Sequence, residues 1–309
     1  LAPSGEMKIN WVERNMPVLR GIGRRFADEK PFKGLKVALS VHLEAKTAYL
    51  CRVMELGGAE IAGIKMHAAI DVIMRRNHIH NCTMGIWCDW EAQGTRITQN
   101  LLHDNQRPSY ASVLKGSMMS QDLFVEVGHG PTLIDNNILL SDVSLRIATE
   151  GVAMVHNLIC GAFTCVGGGT GPRYTPYHIP HRTEVMGFMT VLHGDDRFYN
   201  NIFVQKWPSE DSITWHDSDD GFDRENRAVG TWQFDEYPTY QEWLSQFDFS
   251  RPADMKKLEP AHEGHLPVWS EGNVYLGGAK ACRNEVNGLV PDENADPGTA
   301  ANPEKIRVE

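Results

Sequence analysis

Long apolar runs are missing from this chain. No segment reaches the roughly 18–20 residues that cross a bilayer as a helix, so no transmembrane helix is expected. Near Leu1 there is no charged stretch followed by an apolar run, so no signal peptide is expected and the cytoplasm is the default compartment. Basic charge is in deficit, with 30 Lys and Arg against 40 Asp and Glu and a formal net charge of −10. That argues against a nucleic-acid partner, which normally requires a basic stripe, and is compatible with a neutral or cationic ligand. The six cysteines (Cys51, Cys82, Cys88, Cys160, Cys165, Cys282) include no CxxC pair and no zinc spacing. They are expected as buried free thiols in a reducing compartment. A dinucleotide-binding Gly-x-Gly-x-x-Gly turn is also lacking. The one Gly-rich run, Gly167 to Gly171, meets Pro172 and no helix pattern follows, so no cofactor and no resident metal are expected.

What the chain does have is a recurring Asn followed by an apolar pair. It stands at Asn77, Asn100, Asn137, Asn157, Asn201 and Asn273, with steps of 23, 37, 20, 44 and 72 residues. The 44 reads as two steps of 22, and the 37 shortens to about 23 if Arg107 to Ser120 bulges as a loop. A period of 20–23 with short β-branched strands marks a solenoid, whose units bury their apolar faces against their neighbours. The Leu lattice of leucine-rich repeats is absent. The expected fold is therefore mainly β, a right-handed parallel β-helix with Asn at each corner, where left-handed backbone and side-chain ladders suit it.

Within the 309 residues, one or two domains are expected. Residues 1–60 stand apart as a helix–strand–helix piece: a helix from Met16 to Phe26, a strand from Lys36 to Val41, and a helix from Glu44 to Leu56 stopped by Gly57-Gly58. Residues 61–285 carry the repeat, with loop insertions. They include a Gly- and Pro-rich stretch from Cys165 to Pro180 and a break from Lys206 to Ala261 holding a short surface helix near Tyr237 to Leu244. Residues 286–309 read as a disordered tail.

Side chains of a strand alternate between faces. With Ile86, Cys88 and Trp90 inward, Trp87 and Asp89 point out; with Leu123, Val125 and Val127 inward, Glu126 points out. One coil separates Asp89 from Glu126, so the two carboxylates should stack on adjacent rungs about 4.7–4.9 Å apart. A carboxylate pair about 5–5.5 Å apart is the geometry of a retaining glycosidase, one acting as nucleophile and one as acid/base, and like charges that close hold one of them protonated. A solvated outer face would carry the same two residues with no chemistry. Glu91, Asp122 and Glu150 are the reserve carboxylates. Trp87 and Trp90 could form a sugar platform or simple core, and His129 could bond a sugar hydroxyl. Arg146, Arg182, His193 and Asp195 are further substrate-positioning candidates. His78 and His80 share a strand face but lack a third metal ligand, and His178, His181 and Glu184 read as loop residues bonding backbone or sugar rather than as a metal cluster.

Two resemblances accompany these motifs. Ile9 to Ile61 looks like the N-terminus of S-adenosylhomocysteine hydrolase, in which a His at the strand end lies at the substrate site. His42 takes that place, and Glu44 and Lys46 stand where the family has Thr and then Glu or Gln. A nucleoside-processing reading resting on this segment would imply bound NAD. The stretches His67–Asn105, Asp122–Asp142 and Tyr174–Gln205 resemble the β-xylosidases of glycoside hydrolase family 120. The motifs Gly85-Ile-Trp-x-Asp-Trp90 and Phe124-x-Glu-Val-x-His-Gly-Pro131 carry the match. That resemblance implies a parallel β-helix, a retaining mechanism on xylo-oligosaccharides, Asp89 as nucleophile and Glu126 as acid/base. The expected partner is a small carbohydrate, with no nucleic acid and no membrane, and an oligomer is compatible. The competing expectation is a non-catalytic carbohydrate-binding or structural scaffold.

Overall fold

A computed structural model describes residues 3–33, 36–38, 45–58, 60–62, 64–82, 84–105, 121–165, 173–205, 228–247, 250 and 264–291. The chain opens with three helices, α1 (Pro3–Asn15), α2 (Pro17–Glu29) and α3 (Ala45–Leu56). Proline stands at the start of α2, where its missing N–H costs nothing, and Lys30 closes that helix in the left-handed conformation. Ile9, Val12, Tyr49 and Val53 form a small core where α1 packs on α3, with Leu19, Ile22 and Phe26 of α2 against it. Around α3 two short strands, β1 (Lys36–Ala38) and β2 (Glu60–Ala62), pair in parallel. This is a strand–helix–strand unit.

From Ile64 the chain visits three sheets in turn. The first holds β3 (Ile64–His67), β6 (Met84–Asp89), β9 (Gln121–Glu126), β12 (Val143–Ala148) and β15 (Ala162–Cys165). The second holds β4 (Ile73–Arg75), β7 (Thr95–Thr98), β10 (Thr132–Asp135), β13 (Val152–Val155), β18 (Asp196–Tyr199), β20 (Val268–Glu271) and β22 (Glu285–Val286). The third holds β5 (His78–His80), β8 (Leu101–His103), β11 (Ile138–Leu139), β14 (Leu158–Ile159), β19 (Ile202–Val204) and β21 (Val274–Leu276). Each strand pairs in parallel with its counterpart one layer on. Met66, Ile86, Ile97, Leu102, Leu123, Ile134, Leu145, Phe163, Phe198 and Phe203 point between the sheets and are fully buried. A fourth component is an antiparallel hairpin, β16 (Arg173–His178) with β17 (Val185–Val191), that leaves after β15. Later come a 3-10 turn at Trp232–Phe234 and α4 (Tyr240–Leu244), whose Thr239 and Glu242 form a capping box.

This topology corrects the expected fold class, a mainly β right-handed parallel β-helix, and with it the expected regular repeat. The described strands do not form one uninterrupted solenoid. They divide into five sheets, one of them antiparallel and one part of the strand–helix–strand unit. The period of 20–23 does not hold either. β14 pairs directly with β19, so the 44 residues from Asn157 to Asn201 are a single layer, lengthened by the β16–β17 hairpin rather than two steps of 22. The 72 residues from Asn201 to Asn273 are likewise one layer.

The recurring Asn has a definite structural cause. At each corner its backbone N and Nδ2 both donate to Oδ1 of the next Asn, at 2.8–3.0 Å for Asn77 on Asn100 and similarly through Asn137, Asn157, Asn201 and Asn273. The left-handed residue expected at this corner is not the Asn. It is the residue before it: Arg76, Gln99, Asn136, His156, Asn200 and Gly272 all have positive φ. The Asn side chain therefore satisfies buried backbone groups, while its predecessor turns the chain. Val286 of the last strand and Leu289 beyond it bond the preceding layer, and residues 292–309 of the expected tail lie outside the described residues. Among the described residues no helix is long and apolar enough to cross a membrane.

Candidate functional site

The outer face of the first sheet carries two rows of side chains set by strand register. One row is Lys65, Trp87, Phe124, Arg146 and Thr164, paired strand by strand. In the other row His67 sits beside Asp89 and Glu126 beside Ala148, and Asp89 follows Cys88, which pairs with Val125 just before Glu126. The alternation of β6 and β9 thus brings Asp89 and Glu126 onto neighbouring strands of one face, both half-buried.

Both carboxylates are held. Asp89 Oδ2 lies 2.8 Å from Lys65 Nζ, and its Oδ1 accepts from the Trp90 backbone N at 2.8 Å. Glu126 Oε2 accepts from Trp87 Nε1 at 3.1 Å. Lys65 also stands 3.3 Å over the Trp87 ring, and Trp87 stacks on Phe124 with centroids 5.5 Å apart. The charge of Asp89 is neutralised locally, and the indole is clamped between a cation and an aromatic ring. Both faces of Trp87 are covered, so it serves as a strut for Glu126 rather than an open platform. Trp90, expected to point inward, lies past the end of β6 where the alternation stops, and is instead the exposed aromatic beside the pair, 44% exposed and edge-on to His67 at 5.8 Å.

The other expected site residues are placed differently. His129 is buried: Nδ1 lies 2.7 Å from Glu150 Oε1, and Nε2 lies 2.6 Å from Thr175 Oγ1 of β16. It fastens the hairpin and has no nitrogen left for a sugar hydroxyl. Arg146 lies in the first row, 5.9 Å over Phe124, with Nε 3.4 Å from Thr164 Oγ1. His178 is buried with Nε2 3.3 Å from Glu91 Oε2, and its backbone N donates to Gln93 Oε1. Arg182 is exposed at the hairpin tip. His193 is buried in the turn after β17 beside His265, while Asp195 pairs with Arg197.

The reserve carboxylates are committed inside. Asp122 is buried, accepting from Asn105 Nδ2, Ser141 Oγ and Ser141 N, and burial pushes its carboxyl up to about 6. Glu150 bonds His129 and the Leu192 backbone N. Glu91 faces His178. His181 bonds Asp71 instead of converging with His178 and Glu184. The structure supplies a third neighbour for His78 and His80: His103 Nε2 lies 2.7 Å from His78 Nε2 and its ring stacks on His80. Even so, no three His, Cys, Asp or Glu among the described residues are arranged to hold a metal. A cavity of about 170 Å³ lined by Ile70, Asp71, Tyr177, His178 and His181 lies under the hairpin tip, away from the Asp89 and Glu126 carboxylates. Neither carboxylate lines that cavity. His42 and the run from Gly167 to Gly171 lie outside the described residues.

Lys65 was missed by the sequence reading, which began the first layer at His67. The alternation Ile64-Lys65-Met66-His67 already places Lys65 and His67 on the outer face.

Comparison with known proteins finds two different likenesses. Residues 1–66 match the S-adenosyl-L-homocysteine hydrolase family. The adenosylhomocysteinase of Thermococcus kodakarensis is 53% identical over 62 residues, which is 20% of this chain and 15% of that protein. The S-inosyl-L-homocysteine hydrolase of Methanocaldococcus jannaschii is 55% identical over 58 residues, 19% of this chain and 14% of that protein. The chain therefore spans about 15% of the length of these curated relatives. A solved structure described as the complex of XylC with xylose is 36% identical, with a TM-score of 0.56, and covers 77% of this chain. The chain spans 32% of the XylC chain.

Proposed function

We propose that this chain is a retaining glycoside hydrolase acting on β-xylosides or short xylo-oligosaccharides. The observation that carries the reading is the pair Asp89 and Glu126 on adjacent strands of one outer face, each with its own fixed partner. The likeness to XylC, solved with xylose, supports the sugar.

In this reading Asp89 attacks the anomeric carbon while Glu126 gives its proton to the leaving oxygen, so the glycosidic bond breaks as a glycosyl–Asp89 ester forms. Water then enters, Glu126 takes one of its protons, and the water oxygen displaces Asp89 with a second inversion. The sugar leaves with its configuration retained and both carboxyls return to their starting states. Lys65 and the Trp90 backbone N orient Asp89, and Trp87 orients Glu126. The exposed ring of Trp90 is the available apolar face for a sugar.

The test is hydrolysis of an aryl β-xyloside and of xylobiose by the full chain, beside Asp89→Asn. Turnover in the parent and none in the folded variant is expected. An active Asp89→Asn chain would remove the assignment. A folded parent that binds xylo-oligosaccharides without cleaving them would favour the non-catalytic scaffold, a reading prompted by the chain spanning only 32% of XylC.

A further inference from the structure

The outer face of the third sheet carries three imidazoles that the proposed reaction leaves unused. Strand alternation sets them there. Ile79 and Leu102 point inward and are buried, so His78 and His80 of β5 and His103 of β8 point outward. Register puts His80 directly beside His103, and their rings stack with centroids 5.0 Å apart and planes 6° apart. His78 reaches across from two positions earlier on β5, and its Nε2 stands 2.7 Å from His103 Nε2. The residues that follow, Asn81 and Asp104, hold equivalent corners in the two layers. Both have positive φ, and each turns its side chain back onto Nδ1 of the preceding His at 2.6 Å. The Asp104 carboxylate keeps a proton on His103 Nδ1, so the His103 lone pair lies at Nε2 and His78 Nε2 donates to it.

We propose that His78 and His103 are a two-nitrogen chelate for a divalent transition metal of the copper and nickel class. The three rings do not meet at one point, because the lone pairs of the parallel His80 and His103 rings lie in separate planes. The Nε2 atoms of His78 and His103 do converge. Imidazole nitrogen selects Cu²⁺, Ni²⁺ and Zn²⁺ over Mg²⁺ and Ca²⁺, which take oxygen. Geometry then orders the first three. Two nitrogens each about 2.0–2.1 Å from a metal stand about 2.9 Å apart at a right angle and about 3.4 Å apart at a tetrahedral one. The observed 2.7 Å is nearer the right angle, which suits Cu²⁺ and Ni²⁺. His78 is exposed and supplies the small opening, carrying its proton at Nδ1 so that both Nε2 atoms face the ion. Water fills the other positions. Asp104 already gives His103 the carboxylate that orients a ligating imidazole. β5 ends its sheet, so the ion would clip that end strand to β8. This face is not that of Asp89 and Glu126, and the two proposals stand independently.

Calorimetric titration of the full, untagged chain with NiCl₂ reads the site; Ni²⁺ is the probe because it leaves the free thiols unoxidised. One ion per chain is expected, with no binding of Ca²⁺. His78→Ala and His103→Ala should each abolish that binding while keeping the parent's circular dichroism spectrum. His80→Phe keeps a ring to stack on His103 and should bind as the parent does, as should His181→Ala at the exposed hairpin tip. Asp104→Asn should weaken binding about 10-fold or more by loosening His103. As a second readout, Ni²⁺ should raise the urea midpoint of the parent and leave that of His78→Ala unmoved. A parent that binds no Ni²⁺, or a His78→Ala or His103→Ala chain that binds it undiminished, would overturn the proposal. Loss of binding in His80→Phe would overturn the choice of the two donors.

Discussion

Lys65 Nζ and Asp89 Oδ2 stand 2.8 Å apart on neighbouring strands, with the two side chains only 12% and 16% exposed. An ion pair this sheltered keeps much of its Coulomb energy, and losing one partner leaves the other charge half-buried and uncompensated. On the proposed activity, Lys65→Met should therefore lower kcat on an aryl β-xyloside by about 10- to 100-fold, the equivalent of roughly 1.5–3 kcal/mol for a hydrogen bond to a charged group. KM should change much less, since Lys65 is turned toward Asp89 and Trp87. Steady-state kinetics on the parent and variant, with matched unfolding curves, check this; an unchanged kcat would mean that the pair does not orient Asp89 for the proposed attack.

Asp122 ties β9 to the turn at Ser141 and to Asn105. Burial raises its carboxyl from 3.8 to about 6, against the pull of hydrogen bonds from Ser141 and Asn105. A value higher in the folded state means the folded chain holds this proton more tightly than the unfolded one. The stabilisation is full below about pH 4 and is lost as pH rises through about 6, amounting to about 3 kcal/mol. Urea unfolding of the parent and of Asp122→Asn at several pH values isolates the effect. The parent should lose about that much relative to the variant between pH 4 and 7. A difference that stays flat with pH would show that Asp122 does not titrate in this window.

Glu285 ends the Asn ladder. Its carboxylate accepts from Asn273 N at 3.0 Å and Nδ2 at 2.9 Å, from Tyr275 OH at 2.8 Å, and from Ser270 Oγ. It thus takes the place that a further Asn would occupy, with Oε1 accepting from Asn273 N and Oε2 from the other three donors. Asn273 and Tyr275 are buried, so Glu285→Ala strands several donors and should cost about 2–4 kcal/mol of folding stability. Glu285→Gln keeps one acceptor and should fall between. Thermal and urea melts read both, and a neutral Glu285→Ala would mean that water replaces the carboxylate at no cost.

Strand alternation was legible in the sequence because its period is local. It put Trp87, Asp89 and Glu126 outward from residue identities alone, and it would have added Lys65 had the first layer been started at Ile64. The recurring Asn was equally legible, since a ladder needs the same side chain at every layer. Layer length was not. A spacing of 44 residues can be two turns of 22 or one turn with an excursion, and only the pairing of β14 with β19 decides between them. His129 shows the same limit. Three residues after Glu126 it looked available to a ligand, but Thr175, 46 residues on, folds back to take its second nitrogen.

The chain by itself determined its two unlike parts, the outward carboxylates and the Asn corners, because each is written in nearest neighbours or in a repeated residue type. The tertiary structure alone decided which strands became adjacent, which carboxylates were consumed inside, and that Lys65 and Trp87 would each hold one of the remaining pair. Those outcomes depend on contacts between residues 20 to 90 positions apart, and the separation along the chain carries no mark of how much intervening sequence leaves the stack as a loop or hairpin.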